Sequence, residues 1–167
     1  MKIEVVRDLP RLGQIYNEIK MLDNFYPNFA YWYFHRFVPD VLLGQSVALT
    51  LQNRYNDDVG FALLKNSEEK KLRCLRIKPQ YKNRGYAMHL IDESLKILNE
   101  DHPLCTVSEE MINEYARIFV NRYDFHLTSV ERHLYRCGKN EYIFNEKRSA
   151  NEMLEIAKIH TSQLFDQ

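Results

Sequence analysis

Leu72-Arg73-Cys74-Leu75-Arg76-Ile77-Lys78-Pro79-Gln80-Tyr81-Lys82-Asn83-Arg84-Gly85-Tyr86-Ala87-Met88-His89-Leu90-Ile91 is the stretch that decides the fold. Its first part, Lys71 to Lys78, reads as a strand closed by Pro79. A basic turn with one glycine follows, and then a helix whose apolar stripe, Ala87, Leu90, Ile91, Ser94, Leu95 and Leu98, has helical spacing. A join of this kind is built for an anion. The first amides of a helix have no partner within it, and the helix dipole adds positive potential at that end. Gly85 allows close approach to the backbone, and Ala87 keeps the first turn small. Charge agrees: Lys65, Lys70, Lys71, Arg73, Arg76, Lys78, Lys82 and Arg84 face only Glu68 and Glu69 in that segment. A solvated basic turn ahead of an ordinary helix would show the same local pattern.

Upstream, residues 2–6 read as a strand, and Asp8 is placed to cap a helix with Pro10 in its first turn and Leu12, Ile15, Tyr16 and Ile19 on one face. An aromatic-dense segment from Phe25 to Phe37 contains a second helix, Asn28 to Phe37, which Pro39 is expected to stop, with a short turn of helix following to Gly44. Ser46–Gln52 and Val59–Lys65 read as a hairpin that the strand before Pro79 extends into a meander. Downstream come a strand at 103–108, a helix from Ile112 to Tyr123 and two closing strands near 126–136 and 140–145. An amphipathic helix is expected from Ser149 to Leu164. The order predicts a single α/β (α+β) domain, residues 1–148, around a mixed, mostly antiparallel twisted sheet flanked by helices. A helical extension, residues 149–167, completes the chain.

The 167 residues suit one core, and equal counts of 23 basic and 23 acidic residues count against a dedicated nucleic-acid binder. The cysteines Cys74, Cys105 and Cys137 form no CxxC, and the six histidines show no ligand spacing, so no metal is expected. Met1 to Arg7 carries charges where a secretory leader needs an apolar run, and no apolar run approaches the ~20 residues of a membrane span. A cytoplasmic protein with reduced thiols and no membrane partner is the expectation.

Lys82-x-x-Gly85-x-Ala87 resembles the acetyl-CoA loop of the GNAT (GCN5-related N-acetyltransferase) superfamily, with Lys82 standing where Arg or Gln is usual. Residues 104–125 also look like that superfamily's next strand and helix: Asn113 fits its helix start, and Tyr123-Asp124-Phe125 ends the helix. Asp124 stands where Gly is common, and Val120 where many members carry the tyrosine that protonates the leaving thiolate. The resemblance implies acetyl-CoA as co-substrate, no metal, and direct attack of a primary amine on the thioester. It places the pantetheine arm against Leu75, Arg76 and Ile77, and the phosphates at Lys82, Asn83, Arg84, Gly85, Tyr86 and Ala87, with Asn113 beside them. The acceptor is a small-molecule or protein amine, and Trp32 and Tyr33 are expected on its wall, a thick core between helix and sheet being the alternative for the aromatic segment.

The strand offers no carboxylate between Leu72 and Lys78, so Glu110 is the expected general base, with Glu109 beside it, and Tyr123 the nearest phenol for the general acid. Each has a plain alternative, Glu110 as a first-turn helix acid and Tyr123 as core packing. Cys74 and Cys105 read as buried apolar residues. Acetyl transfer is the expected activity. A degenerate domain that binds coenzyme A, or a protein partner, without turnover is the alternative, and a homodimer stays open.

Overall fold

The computed structural model describes residues 1–147. The helix expected from Ser149 to Leu164, and the extension it belongs to, lie outside the described residues. Strand β1 (Lys2–Val6) leads into α1 (Leu9–Ile19), whose first turn is capped by Asp8: its side chain accepts from the Arg11 amide at 2.9 Å. A 3-10 turn (Lys20–Asn24) follows, then α2 (Phe29–Trp32), a π turn (Tyr33–Phe37) and α3 (Val38–Leu42). Pro39 therefore does not stop the helix. It lacks an amide donor and its ring crowds the carbonyl four residues back, and the wider π turn lies directly ahead of it, where that ladder would fail.

The meander is β2 (Ser46–Gln52), β3 (Asp58–Asn66) and β4 (Lys70–Ile77). Then come α4 (Tyr86–Leu98), β5 (Leu104–Ser108), α5 (Ile112–Tyr123), β6 (Leu127–Arg132) and β7 (Asn140–Phe144). One sheet holds all seven strands in the order β1-β2-β3-β4-β5-β7-β6, antiparallel except for β4 and β5.

Each face of the sheet carries its own core. Leu49, Leu51, Ala62 and Leu64 pack with Leu90, Ile91, Leu98 and Phe119 of α4 and α5. Ala48, Phe61 and Leu63 pack with Leu12, Ile15, Tyr33 and Phe37 from α1 to α3. The run Val59–Leu64 is apolar without alternation because β3 is covered on both faces.

Candidate active site

The site begins with a defect in the sheet. Leu63 pairs with Cys74 and Leu64 with Leu72, which leaves Arg73 as an extra residue, a β-bulge in β4. The parallel pairing of β4 with β5 consists of Lys71 with Leu104 and Leu72 with Cys105, and it ends at that bulge. Beyond it the strands part. The opening is lined by Cys74, Leu75 and Arg76 from one strand, Thr106, Val107 and Ser108 from the other, and Tyr26 and Tyr115 from the helical layers. The Leu75 carbonyl faces this opening, since the Tyr115 hydroxyl donates to it at 3.1 Å. Leu75, Arg76 and Ile77 thus lie on the strand segment that has left its parallel partner.

The loop after β4 delivers the chain to α4. Asn83 (φ 59°) and Gly85 (φ 79°) both adopt left-handed backbone, which the short polar side chain and the glycine tolerate best. Gly85 is the N-cap of α4, and no side chain caps the first turn. Arg84 and Asn83 are exposed, Arg84 lies 6.0 Å over the ring of Tyr81, and Lys82 pairs with Glu114 of α5 at 2.9 Å. Tyr86 and Ala87 open the helix. Asn113 is exposed in the first turn of α5.

The residues considered for proton transfer separate clearly. Glu110 receives a two-pronged hydrogen bond from Arg136, at 2.9 and 2.7 Å, and a contact from Lys139 at 3.3 Å. The Arg136 bonds hold its carboxyl down at about 2, which makes it a poor proton acceptor. Glu109 is tied to Lys139 at 2.6 Å. Tyr123 donates to Asp92 Oδ1 at 2.7 Å and lies 3.1 Å from Met88 O, so it braces α5 against α4, away from the residues that line the opening. Burial and the Asp92 hydrogen bond push it up to about 12. Val120 is 47% exposed.

The expected wall residues also divide. Tyr33 is fully buried and donates to the Leu12 carbonyl at 2.8 Å, so it belongs to the core rather than to the wall. Neighbours on a helix point about 100° apart, and Trp32 is the one that faces outward to the cleft. Cys74 lines the cleft, and burial pushes its thiol up to about 12, the behaviour of an inert apolar residue.

Sequence reasoning missed Glu141. It lies on β7 directly opposite Ser108, 1% exposed, and neither carboxylate oxygen has a hydrogen-bond partner. Arg136 Nη2 is 3.9 Å away. Burial pushes the carboxyl up to about 7; Arg136 and Lys71 pull it down, and Glu110 and Glu109 push it up. The alternation of β7 could have flagged it, because Glu141 falls in phase with Ile143 in a strand paired on both sides. The pairing partner that places it beside the opening is a long-range fact. The histidines hold a second surprise: His102, Asp124 and His126 bring ligand atoms within 4.8 Å of one another, although their sequence spacing showed no such pattern.

No protein-family model and no curated protein compared with this chain matches it. Solved structures do. A GNAT-family protein from Desulfovibrio desulfuricans is 16% identical and superposes with a TM-score of 0.65 over 86% of this chain and 96% of the other. Spermidine N-acetyltransferase from Vibrio cholerae, in complex with CoA and spermine, is 14% identical with a TM-score of 0.62 over 86% and 92%. An aminoglycoside 6'-N-acetyltransferase complexed with coenzyme A is 11% identical with a TM-score of 0.59 over 89% and 99%. Over most of its length the chain shares their architecture: it has the GNAT fold.

Proposed function

We propose that this chain is an acetyl-CoA-dependent N-acetyltransferase that transfers an acetyl group to a primary amine by direct attack. The observation that carries the reading is the parting of β4 from β5 at the Arg73 bulge, immediately ahead of a helix whose first-turn amides no side chain caps. The residues fit the donor. Amides of Arg84, Gly85, Tyr86 and Ala87 suit a pyrophosphate, and Lys82, Asn83 and the Arg84 guanidinium add polar and positive groups around it. Leu75, Arg76 and Ile77 offer a strand edge to an amide-bearing arm, and Asn113 in the first turn of α5 is part of the proposed donor site. Acetyl-CoA supplies an acyl group already activated as a thioester.

The chain's own residues must then orient the amine, take a proton from it and return one to sulfur. Glu141 suits the first transfer: a carboxyl near 7 is part ionised at neutral pH and basic enough to matter. Tyr115 suits the second, since its hydroxyl stands in the opening at Leu75 while Tyr123 is committed to Asp92. Burial raises Tyr115 and keeps its proton in place until a thiolate develops. The Leu75 amide would polarise the acyl carbonyl in this reading.

A domain that holds coenzyme A without turnover is the second reading, favoured by the lack of a carboxylate on β4. A cytoplasmic location and an amine acceptor are part of the proposal. Among the described residues no helix is long and apolar enough to cross a membrane.

The test is a calorimetric titration with acetyl-CoA, followed by release of free thiol in the presence of amines. Micromolar binding that is lost in Gly85→Glu is expected: the substitution puts a carboxylate at the phosphate site and a side chain on backbone at φ 79°. Absence of binding to the wild type would end the enzyme reading. Binding without thiol release on any amine would leave the second.

A further inference from the structure

The acceptor side of the cleft has a charge pattern of its own. A cavity of about 330 Å³ opens there, walled by Tyr26, Phe29, Trp32 and Tyr135 and floored by Cys74 and Thr106. It runs into the opening between β4 and β5, because Leu22, Tyr26, Arg73, Cys74 and Thr106 line both. Lys71 and Arg73, two residues apart on β4, look into it from the same face, and Arg76 continues the stripe along the inner opening. The bulge turns Arg73 out of the β3 ladder, and Trp32 holds its guanidinium 5.3 Å from the indole centroid.

These cations make no close ion pair among the described residues. Arg73 Nη1 is buried with no hydrogen bond. Burial lowers the pKa of both Lys71 and Arg73, while Glu69 pulls each back up and Asp40 does so at Arg73. The one carboxylate among the lining residues, Glu69, is exposed and engaged by Lys65 at 2.9 Å. A site for a polycation would carry carboxylates where this one carries guanidinium and ammonium. Glu141 stands at the other end, opposite Ser108 of the inner opening. The outer cavity thus carries Lys71 and Arg73, Arg76 lines the inner opening, and Glu141 is paired with one of that opening's residues from the neighbouring strand.

We propose that the acceptor is a small amine that also carries an anionic oxygen group, held by Arg73 and Lys71 while its amine reaches inward and its apolar part lies against Trp32 and Tyr26. This deepens the acetyltransferase reading and rests on it for the role of the inward amine. A carboxylate and a phosphate offer the same oxygen chemistry to a guanidinium fork, and the arms of the test separate them.

Binding is read first, by calorimetric titration into the full chain saturated with coenzyme A. Two matched pairs are used, phenylalanine against phenylalaninamide and phosphoethanolamine against ethanolamine, with spermidine as the polycation. The acid-bearing member of at least one pair should bind at least ~10-fold tighter than its neutral counterpart and tighter than spermidine. The pair that shows the preference identifies the group. Arg73→Leu and, separately, Lys71→Met should each remove most of that preference, and Arg73→Lys should keep part of it. A neutral member or spermidine bound more tightly, no measurable binding of either acid, or a preference untouched in both Arg73→Leu and Lys71→Met overturns the proposal. Titration of the same preparations with coenzyme A alone judges the acetyltransferase reading. If coenzyme A fails to bind, that reading falls, and the same pairs titrated into the free protein still decide the acid preference.

Discussion

At the scale of single residues, the cleft sorts its acids and phenols by what holds them. Glu110 and Glu141 lie near the same guanidinium, yet the first takes both prongs of Arg136 and the second takes neither at hydrogen-bonding distance. One carboxyl falls to about 2 and the other rises to about 7. The consequences for Glu141 have opposite signs in stability and in activity. In the unfolded chain it titrates near its ordinary value, about 4.3. Between that pH and about 7 the folded state binds the extra proton, so its contribution to stability is full at low pH and is lost as pH rises through about 7. Activity that needs the ionised form rises over the same range. Glu141→Gln should therefore flatten the fall in melting temperature between pH 5 and pH 8 and lower kcat by about 100-fold. Thermal melts and a pH–rate profile check both, and a variant with wild-type kcat removes Glu141 from the proton path. The phenols give a paired prediction. Tyr115→Phe should lower kcat at least ~10-fold with little change in coenzyme A affinity. Tyr123→Phe should cost about 1 kcal/mol of stability, the worth of its bond to Asp92, and leave kcat within about twofold. The reverse order would restore Tyr123 as the acid.

At the scale of elements, most of the fold was legible because each element carries its own local rule. Asp8 and Pro10 announce α1, alternation announces β2, and the stripe from Ala87 to Leu98 announces α4. What failed is what local rules do not contain. Pro39 reads as a stop, and only the π turn from Tyr33 to Phe37 lets the helix run past it. The Arg73 bulge leaves no mark in the order of residue types, since it exists only as a register shift against β3. Tyr33 and Trp32 are adjacent aromatics, and which of them faces the cleft depends on the roll of a helix whose partner surface is remote in sequence. Gly60 illustrates the same limit. Nothing local distinguishes it within the strand, but it lies under α4, where a Cβ would come within 2.6 Å of Ile77 Cδ1 and 3.0 Å of Arg76 O and Leu90 Cδ1. Gly60→Ala should destabilise the chain by about 1–3 kcal/mol through overpacking. It should also weaken coenzyme A binding, because the displaced atoms belong to β4 and α4, the two elements that frame the loop. Denaturant unfolding with a parallel titration checks the pair, and an unchanged midpoint would mean that Ile77 and Leu90 yield freely.

At the scale of the whole molecule, the sheet is two sheets joined at a narrow seam. Strands β1 to β4 form one antiparallel half and β5 to β7 the other, and two residue pairs, Lys71 with Leu104 and Leu72 with Cys105, join them across the parallel edge. Helix α4 and the loop ahead of it reinforce the seam on one face through α5, by Tyr123 to Asp92 and Lys82 to Glu114. Asn145 ties the β5–β7 half together, donating to the Pro103 carbonyl at 3.0 Å and accepting from the His126 amide at 2.9 Å. The proposed active site is the length of the seam left unpaired. Strand-edge groups that face each other without bonds are satisfied by whatever enters between them, so a ligand in the opening completes the sheet as well as occupying a site. A ligand that binds only the folded state at 100 times its Kd adds about 2.7 kcal/mol. Here much of that gain should be local. With saturating coenzyme A, amide hydrogen exchange should slow at Leu75, Arg76 and Ile77 of β4 and through the first turn of α4 from Tyr86, while β2 and the outer strand β1 change little. Protection spread evenly over all seven strands would mean that the ligand stabilises the fold without bridging the seam. Protection confined to α4 would mean that the phosphates bind at Gly85 while the β4 edge stays open, and the placement of the acyl group beside Glu141 and Tyr115 would fall with it.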